Sequence, residues 1–526
     1  MKNEQVKQTM KGAIILSFAS LIAKILSAVY RIPFENIVGN TGFYVYQQVY
    51  PIYGIGVAFA LTGFPVYISK LVAEQQNEEK QTKLLQQLFL ILSFFAVIIF
   101  LGLRFFAPLI AKMMGDMELT ALINAVSWMF LFMPILAVGR GYYQGTFDMV
   151  PTAISQVTEQ IVRVLVIILA AIAFARFDWS FYKMGTVSML ASSAGAFVAC
   201  LSFIKYYRSF FFKKTTAKSF SYLYLTEKLF TDGLIICLFA STMVLLQLVD
   251  SFTLVRGLMS NGIFPAHAKK LKGIYDRAQP LLQLGMVLAV GFSSTLLPAL
   301  SAALQQKRYA DFRRISKVML RISVTISVAA SCGMVVLMPQ INTLLFGDAD
   351  LSREISVYVL SVIFITLIGT YNSILQSLDQ FLLTVVALIA AIITKFALNL
   401  WLIHRLNVMG ASLATVISLI VALVIILAFR PDIVKRSFSK GHFWLKLIFA
   451  TFLMIAGVRI FTNIYQLFIG NSRFDALVMS LGGALIGVTI FFSCALWFKL
   501  FSVREWLMLP GGKKILKIWQ KLNEKR

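Results

Sequence analysis

The chain is expected to be an all-α polytopic membrane protein, with about 14 transmembrane helices in two six-helix lobes and a C-terminal helix pair. Three observations carry that expectation. Hydrophobic residues make up 59% of 526 positions and mean hydropathy is +0.80, which excludes an ordinary soluble protein. Apolar runs of about 20 residues recur, each long enough to cross about 30 Å of hydrocarbon. Lysine and arginine gather in alternate loops between those runs.

The first run, 11–31, is read as a retained helix, not a signal peptide. Lys24 interrupts its apolar core and no small-x-small cleavage site follows. Ser17, Ser20, Lys24, Ser27 and Arg31 are spaced three, four, three and four, so they share one helix face. A cation near mid-bilayer is costly unless it faces protein or water. The stripe therefore predicts a hydrated, positively charged space within the membrane, suited to an anion. Lys24 lies deep in the run, whereas Arg31 either serves that space, snorkels to the interface, or pairs with Glu35.

The second run, 43–68, carries Tyr46, Tyr50 and Tyr53 on one face, as packing or belt residues or as a surface on which sugars stack. Runs follow at 85–107, 119–145 and 150–174. The last opens with Pro151 and bears a second stripe, Thr152, Gln156, Glu159 and Arg163. Glu159 and Arg163 are i,i+4 neighbours and are expected to neutralise each other, as a cavity pair or a packing pair. Further runs occupy 183–207, 231–256 and 275–300. Asp250 is the only acid deep inside the seventh run, Asp232 standing at its edge; it is a cation or proton site, or a local partner for Arg256. Arg256 and Arg277 flank the seventh and eighth runs and resemble Lys24 in chemistry. Runs at 318–340, 354–376, 381–403, 411–429, 443–465 and 474–498 complete the set. Lys395 and Asn399 form a small polar patch in the eleventh, and Gly483 and Gly487 in the last favour close helix packing.

The net charge of +26 does not mark a nucleic-acid binder, because its placement follows the positive-inside rule with both termini cytoplasmic. One loop departs from that rule: Lys269, Lys270 and Lys272 fall on the expected outer side. Either the span count errs there, or those cations serve a transport path. After Pro510-Gly511-Gly512, Ile515, Leu516, Ile518, Trp519 and Leu522 alternate with lysines, which reads as an interfacial helix on anionic lipid.

Offsetting the chain by 231 to 232 residues aligns Lys24 with Arg256, Gln144 with Gln376 and Arg163 with Lys395. The implied division is 1–215, 216–430, a final pair at 431–498 and a basic tail at 499–526. Repeats of this kind place a binding site between halves that rock about it.

Catalytic signals are sparse, and no enzyme activity or cofactor is expected. Neither a GxxxxGK[ST] loop nor a GxGxxG turn occurs. His267, His404 and His442 lack zinc spacing, and the four cysteines read as buried apolar residues. Asp348 and Asp350 form the one glycosyltransferase-like metal pair, although a helix cap explains them better.

The stretch Gly139-Arg140-Gly141-Tyr142-Tyr143-Gln144-Gly145, followed by Pro151-Thr152-Ala153 and Gln156…Glu159-Gln160…Arg163, resembles the polysaccharide-exporter family of the MOP superfamily. So do Lys24…Tyr30-Arg31-Ile32-Pro33 and Gly42-Phe43-Tyr44…Gln47-Gln48-Val49-Tyr50-Pro51-Ile52-Tyr53. With Gly63-Phe64-Pro65…Ile68-Ser69-Lys70-Leu71-Val72-Ala73-Glu74, the pattern is similar to the branch holding the lipid II flippases (MurJ-type) and a related sporulation protein of Gram-positive bacteria.

That resemblance implies a MATE-like fold, alternating access, and a cavity whose arginines bind the pyrophosphate of an undecaprenyl-linked glycolipid. Lys24 matches the family's first cavity arginine, while a strict count puts Tyr30 at the second position, with Arg31 one residue later. Arg277 matches its eighth-span arginine. The resemblance further implies a sodium site at Asp250, with Asn372 and Thr394 as co-ligands, and a groove for the prenyl tail along 443–498. Energy would come from sodium, protons or the membrane potential. The expected activity is flipping of an undecaprenyl-pyrophosphate precursor, lipid II first, by a monomer in the bacterial plasma membrane. Lys24, Arg31, Arg256 and Arg277 would hold the pyrophosphate. A capsule or teichoic lipid-linked oligosaccharide is the alternative substrate, and multidrug export a more distant one.

Overall fold

A computed structural model of the chain describes residues 2–75, 77–212, 217–294, 296–378, 380–435, 442–468 and 472–508. Helices make up nearly all of them, and no strand occurs among the described residues. Twelve helical stretches among them are long and apolar enough to cross a membrane. The expected fourteen differ from this at two places. Residues 15–74 run as one stretch of 60 residues, although the runs 11–31 and 43–68 both lie in it. The expected run 275–300 is instead a helix at Ala278–Ser294 and a shorter one at Leu297–Gln305. The chain is a multi-pass membrane protein, all-α among the described residues. The basic tail expected to form an interfacial helix lies outside the described residues.

The break inside 15–74 has local causes. The helix Lys2–Val29 ends at Tyr30, and Arg31–Val57 is interrupted at Gly39, whose φ of 70° lies in the left-handed region that glycine tolerates. The chain thus kinks at Gly39. Glu35 falls before the break and Asn40 just after it.

Packing divides the chain into two compact units. One comprises Met1–Pro280 with Lys395–Ala411, the other Leu281–Thr394 with Ser412–Arg526. These units cut the chain elsewhere than the lobes 1–215 and 216–430 read from the repeat.

In the first unit, Val150–Arg176 packs along Phe181–Leu201 and against Lys2–Val29. Phe64–Glu74 packs on Met133–Gly145, and Pro265–Asp276 lies on Arg31–Val57. That last contact is backbone-close: a side chain at Gly273 would collide with the carbonyl of Asn40. On Lys2–Val29, Phe18, Ile22, Ile25 and Val29 form an exposed apolar stripe, as a lipid-facing surface requires. Ala19, Ala23, Ser27 and Ala28 are buried on the other side.

In the second unit, Tyr309–Val336 packs on Ser361–Ser377 and Phe443–Phe468, and Phe443–Phe468 packs on Arg473–Trp497. A Cβ at Gly483 would press on Leu337 at 2.7 Å and one at Gly487 on Val458 at 3.1 Å, which is the close approach their spacing predicts. Asp348 accepts a hydrogen bond from the Asp350 backbone at 3.0 Å, and the Asp350 carbonyl accepts one from Asn342 at 2.9 Å. The aspartate pair thus shapes a turn between helices.

Candidate functional site

The polar residues singled out on the first and fifth runs converge within the first unit. Ser20 donates to Gln156 at 2.9 Å, which ties the two stripes together. Lys24 lies one turn further along and is exposed, although it faces away from the Phe18–Ile22–Ile25–Val29 surface.

Beyond Lys24 the stripe reaches a cluster of arginines and tyrosines. The Arg31 guanidinium lies 4.3 Å from the Tyr50 ring centroid, and that of Arg163 4.3 Å from Tyr53 and 5.2 Å from Tyr30. Arg163 also donates to the Tyr30 hydroxyl at 3.1 Å, which bonds the Tyr46 hydroxyl at 2.8 Å. Gln160 donates to Tyr53 at 3.4 Å. Both arginines are only 1–2% exposed. Neither forms an ion pair among the described residues. Nε of Arg31, and Nε and Nη1 of Arg163, are buried without a hydrogen-bond acceptor. Aromatic faces hold these cations, at about 2 kcal/mol each when desolvated, and leave donors unused. Tyr30, Tyr50 and Tyr53 therefore present their ring faces to buried cations as well as packing.

The expected Glu159–Arg163 pair does not form. Glu159 pairs with Arg140 at 2.7 Å. Arg140 is fully buried and also donates to Ser155 at 3.0 Å and to the Ala60 carbonyl at 3.0 Å. The preceding helix thus offers Glu159 a partner with its other donors already satisfied, while Arg163 turns to the tyrosines. Sequence reasoning missed Arg140 as a charge partner, although it stands in the motif that carries the family resemblance.

Arg277 is not free to act as an unneutralised cavity cation here. Its Nε donates to Glu35 at 2.7 Å and its Nη2 to Asn40 at 2.7 Å, across the Gly39 break. Glu35 therefore serves Arg277, not Arg31. Arg256 is exposed near the end of its helix, where it reaches the Met113 carbonyl at 3.4 Å. It stands apart from the arginine–tyrosine cluster.

Two of the three lysines that broke the positive-inside pattern, Lys269 and Lys272, are neutralised by nearby acids. Lys269 pairs with Asp116 at 2.7 Å, and Tyr182 and Tyr44 donate to the same carboxylate at 2.7 and 3.2 Å. Lys272 pairs with Asp276 at 2.6 Å. The Lys269 pair fastens Pro265–Asp276 to Asp116, and the Lys272 pair is internal to that helix, which accounts for these two lysines.

Asp250 is buried and its partner is Lys395, at 2.7 Å, not Arg256. Asn399 donates to the same oxygen at 2.8 Å and to Thr253 at 2.7 Å, and Tyr275 donates to the other oxygen at 3.1 Å. Lys395 also donates to the Ala411 carbonyl at 2.8 Å. Asn372 and Thr394, the expected co-ligands, belong to the second unit. Among the described residues no group of three or more His, Cys, Asp or Glu side chains could hold a metal ion.

A family model described as "Polysaccharide biosynthesis protein" matches residues 9–304, more than half of the chain. The chain belongs to this family. Within it, the membrane protein YabM of Bacillus subtilis (strain 168) is 34% identical over 525 residues, covering 98% of this chain and 97% of that protein. The lipid II flippase MurJ of the same strain is 24% identical over 519 residues, covering 92% and 94%. Among solved structures, lipid II flippase MurJ in an inward closed conformation matches with a TM-score of 0.69 at 14% identity. It covers 92% of this chain and 99% of that one, a likeness of fold. A multidrug resistance MATE family transporter of the MOP superfamily, in an inward-facing conformation, matches with a TM-score of 0.63 at 16% identity and covers 81% of this chain and 99% of that one, again a likeness of fold.

Proposed function

We propose that the protein flips an undecaprenyl-pyrophosphate-linked cell-wall precursor, lipid II first, from the inner to the outer leaflet by alternating access. The observation that carries this reading is the Arg31–Arg163–tyrosine cluster: two buried cations, no carboxylate paired with either, and guanidinium donors without acceptors. A pyrophosphate dianion is the chemical complement of such a site, since charge-assisted bonds to phosphate oxygens would engage those donors. Lys24, exposed on the inward face, would meet the headgroup first. Arg31 and Arg163 would engage it as the site opens.

Arg277 and Arg256 take a different part in this reading. With Glu35 and Asn40, Arg277 would hold the expected outer side shut until the loaded protein rearranges, and Arg256 would follow on the exit side. No bond is made or broken. Names of the relatives support a lipid-linked precursor as the cargo, and the lack of a carboxylate ion-paired with Arg31 or Arg163 among the described residues disfavours cationic drugs.

The test is complementation of a strain depleted of its lipid II flippase, read as lipid II accessibility in the outer leaflet. Rescue that Lys24→Ala and Arg31→Ala abolish, at normal membrane levels, supports the assignment. Failure of the well-expressed wild-type protein moves the substrate to another lipid-linked oligosaccharide of capsule or teichoic type.

A further inference from the structure

The family resemblance implies a sodium ion at Asp250, and the surroundings of Asp250 do not suit one. A hard cation needs a shell of oxygen acceptors. Asp250 instead receives three donors: the Lys395 ammonium, the Asn399 amide nitrogen and the Tyr275 hydroxyl. The ammonium is itself fully buried and oriented by the Ala411 carbonyl. A second cation at the same carboxylate would meet like-charge repulsion in a low-dielectric interior.

We propose that the Lys395 ammonium is a built-in cation at Asp250, standing where a coupling ion would otherwise neutralise the carboxylate, so that the chain has no sodium site there. Lys395 lies at the position that the internal repeat aligns with Arg163. The two halves thus put a cation at matching places and satisfy it differently, one with tyrosine faces and one with a carboxylate. A tethered ammonium neutralises Asp250 without exchanging with the medium. Transport then draws nothing from a sodium gradient at this carboxylate.

The surrounding oxygens indicate what removing the ammonium would create. Asp250, Thr253 and the Ala411 carbonyl remain, and Oδ1 of Asn399 is buried without a hydrogen-bond partner. Lys395→Asn adds an amide oxygen to that set and removes the competing charge. Lys395→Ser adds a smaller hydroxyl oxygen to it.

The experiment measures radioactive sodium binding to the purified full-length protein, and its melting temperature in sodium against choline chloride at equal ionic strength. Lipid transport is not the readout, so the outcome is independent of the substrate proposed above. The wild-type protein is expected to bind no sodium saturably and to melt alike in both salts. Lys395→Asn and Lys395→Ser are expected to gain saturable binding and a sodium-dependent rise in melting temperature, both lost on adding Asp250→Asn. Saturable wild-type binding that Asp250→Asn abolishes overturns the proposal, and this arm holds even if the Lys395 variants fail to fold. Folded Lys395 variants that remain indifferent to sodium overturn it as well.

Discussion

Glu159 has two arginines within reach of its helix register, and the structure assigns it to Arg140. Replacing Glu159 by Gln keeps an amide oxygen for Arg140 and removes the charge that compensates it. Arg140 is fully buried and Glu159 about 5% exposed, so the guanidinium is left uncompensated in the interior. Breaking a buried pair from one side costs about 3–5 kcal/mol. The retained bonds to Ser155 and Ala60 place the expected loss near the lower end, about 3 kcal/mol. Removing both charges with Arg140→Met and Glu159→Met should recover most of that loss, because apolar replacement of a buried pair is often close to neutral. The double-mutant coupling between these sites should be at least about 2 kcal/mol, and the Glu159–Arg163 coupling under about 0.5 kcal/mol. Chemical unfolding of the protein in lipid nanodiscs reads both cycles. A larger coupling to Arg163 than to Arg140 would refute the assignment and restore the helix-internal pair.

The other predictions concern the tyrosines, the Gly39 turn and the topology. Tyr50→Phe keeps the face under Arg31 and should retain transport in the complementation assay, whereas Tyr50→Leu removes about 2 kcal/mol of cation–π stabilisation and should abolish it. Equal behaviour of the two variants would show that the ring face is dispensable. Gly273→Ala forces a Cβ against the Asn40 carbonyl and should cost about 1–3 kcal/mol in the same unfolding measurement. A neutral effect would mean that Pro265–Asp276 does not sit on residues 31–42 in the membrane. A cysteine at Asn261 should react with an impermeant maleimide in intact cells, and one at Lys307 only after lysis. The opposite pattern would invert the expected orientation.

The fold class was legible because hydrocarbon thickness dictates run length, which is a one-dimensional property. The first stripe was legible for a similar reason. Helical periodicity puts Ser20, Lys24 and Ser27 on one face whatever surrounds them, and the bond from Ser20 to Gln156 joins it to the second stripe. Partner choice was not legible. Glu159 prefers Arg140 to its own-helix neighbour, Glu35 prefers Arg277 to Arg31, and Asp250 prefers Lys395 to Arg256. In each case a residue distant in sequence displaced a near one, because tertiary packing brings side chains together across helices in ways that i,i+4 spacing cannot register. The repeat had nevertheless flagged Lys395 as the counterpart of Arg163. The eighth run was harder still, since its helix ends at Ser294 and restarts at Leu297, and hydropathy is insensitive to such a break.

The measurement that bears most directly on the central claim is flipping of lipid II by the purified protein in proteoliposomes with an imposed membrane potential. The account predicts protein-dependent transfer that falls about 10–100-fold in Lys24→Ala and in Arg31→Ala, the loss of one charge-assisted phosphate contact each. Transfer no faster than in protein-free vesicles, or variants that match the wild-type rate, would contradict it.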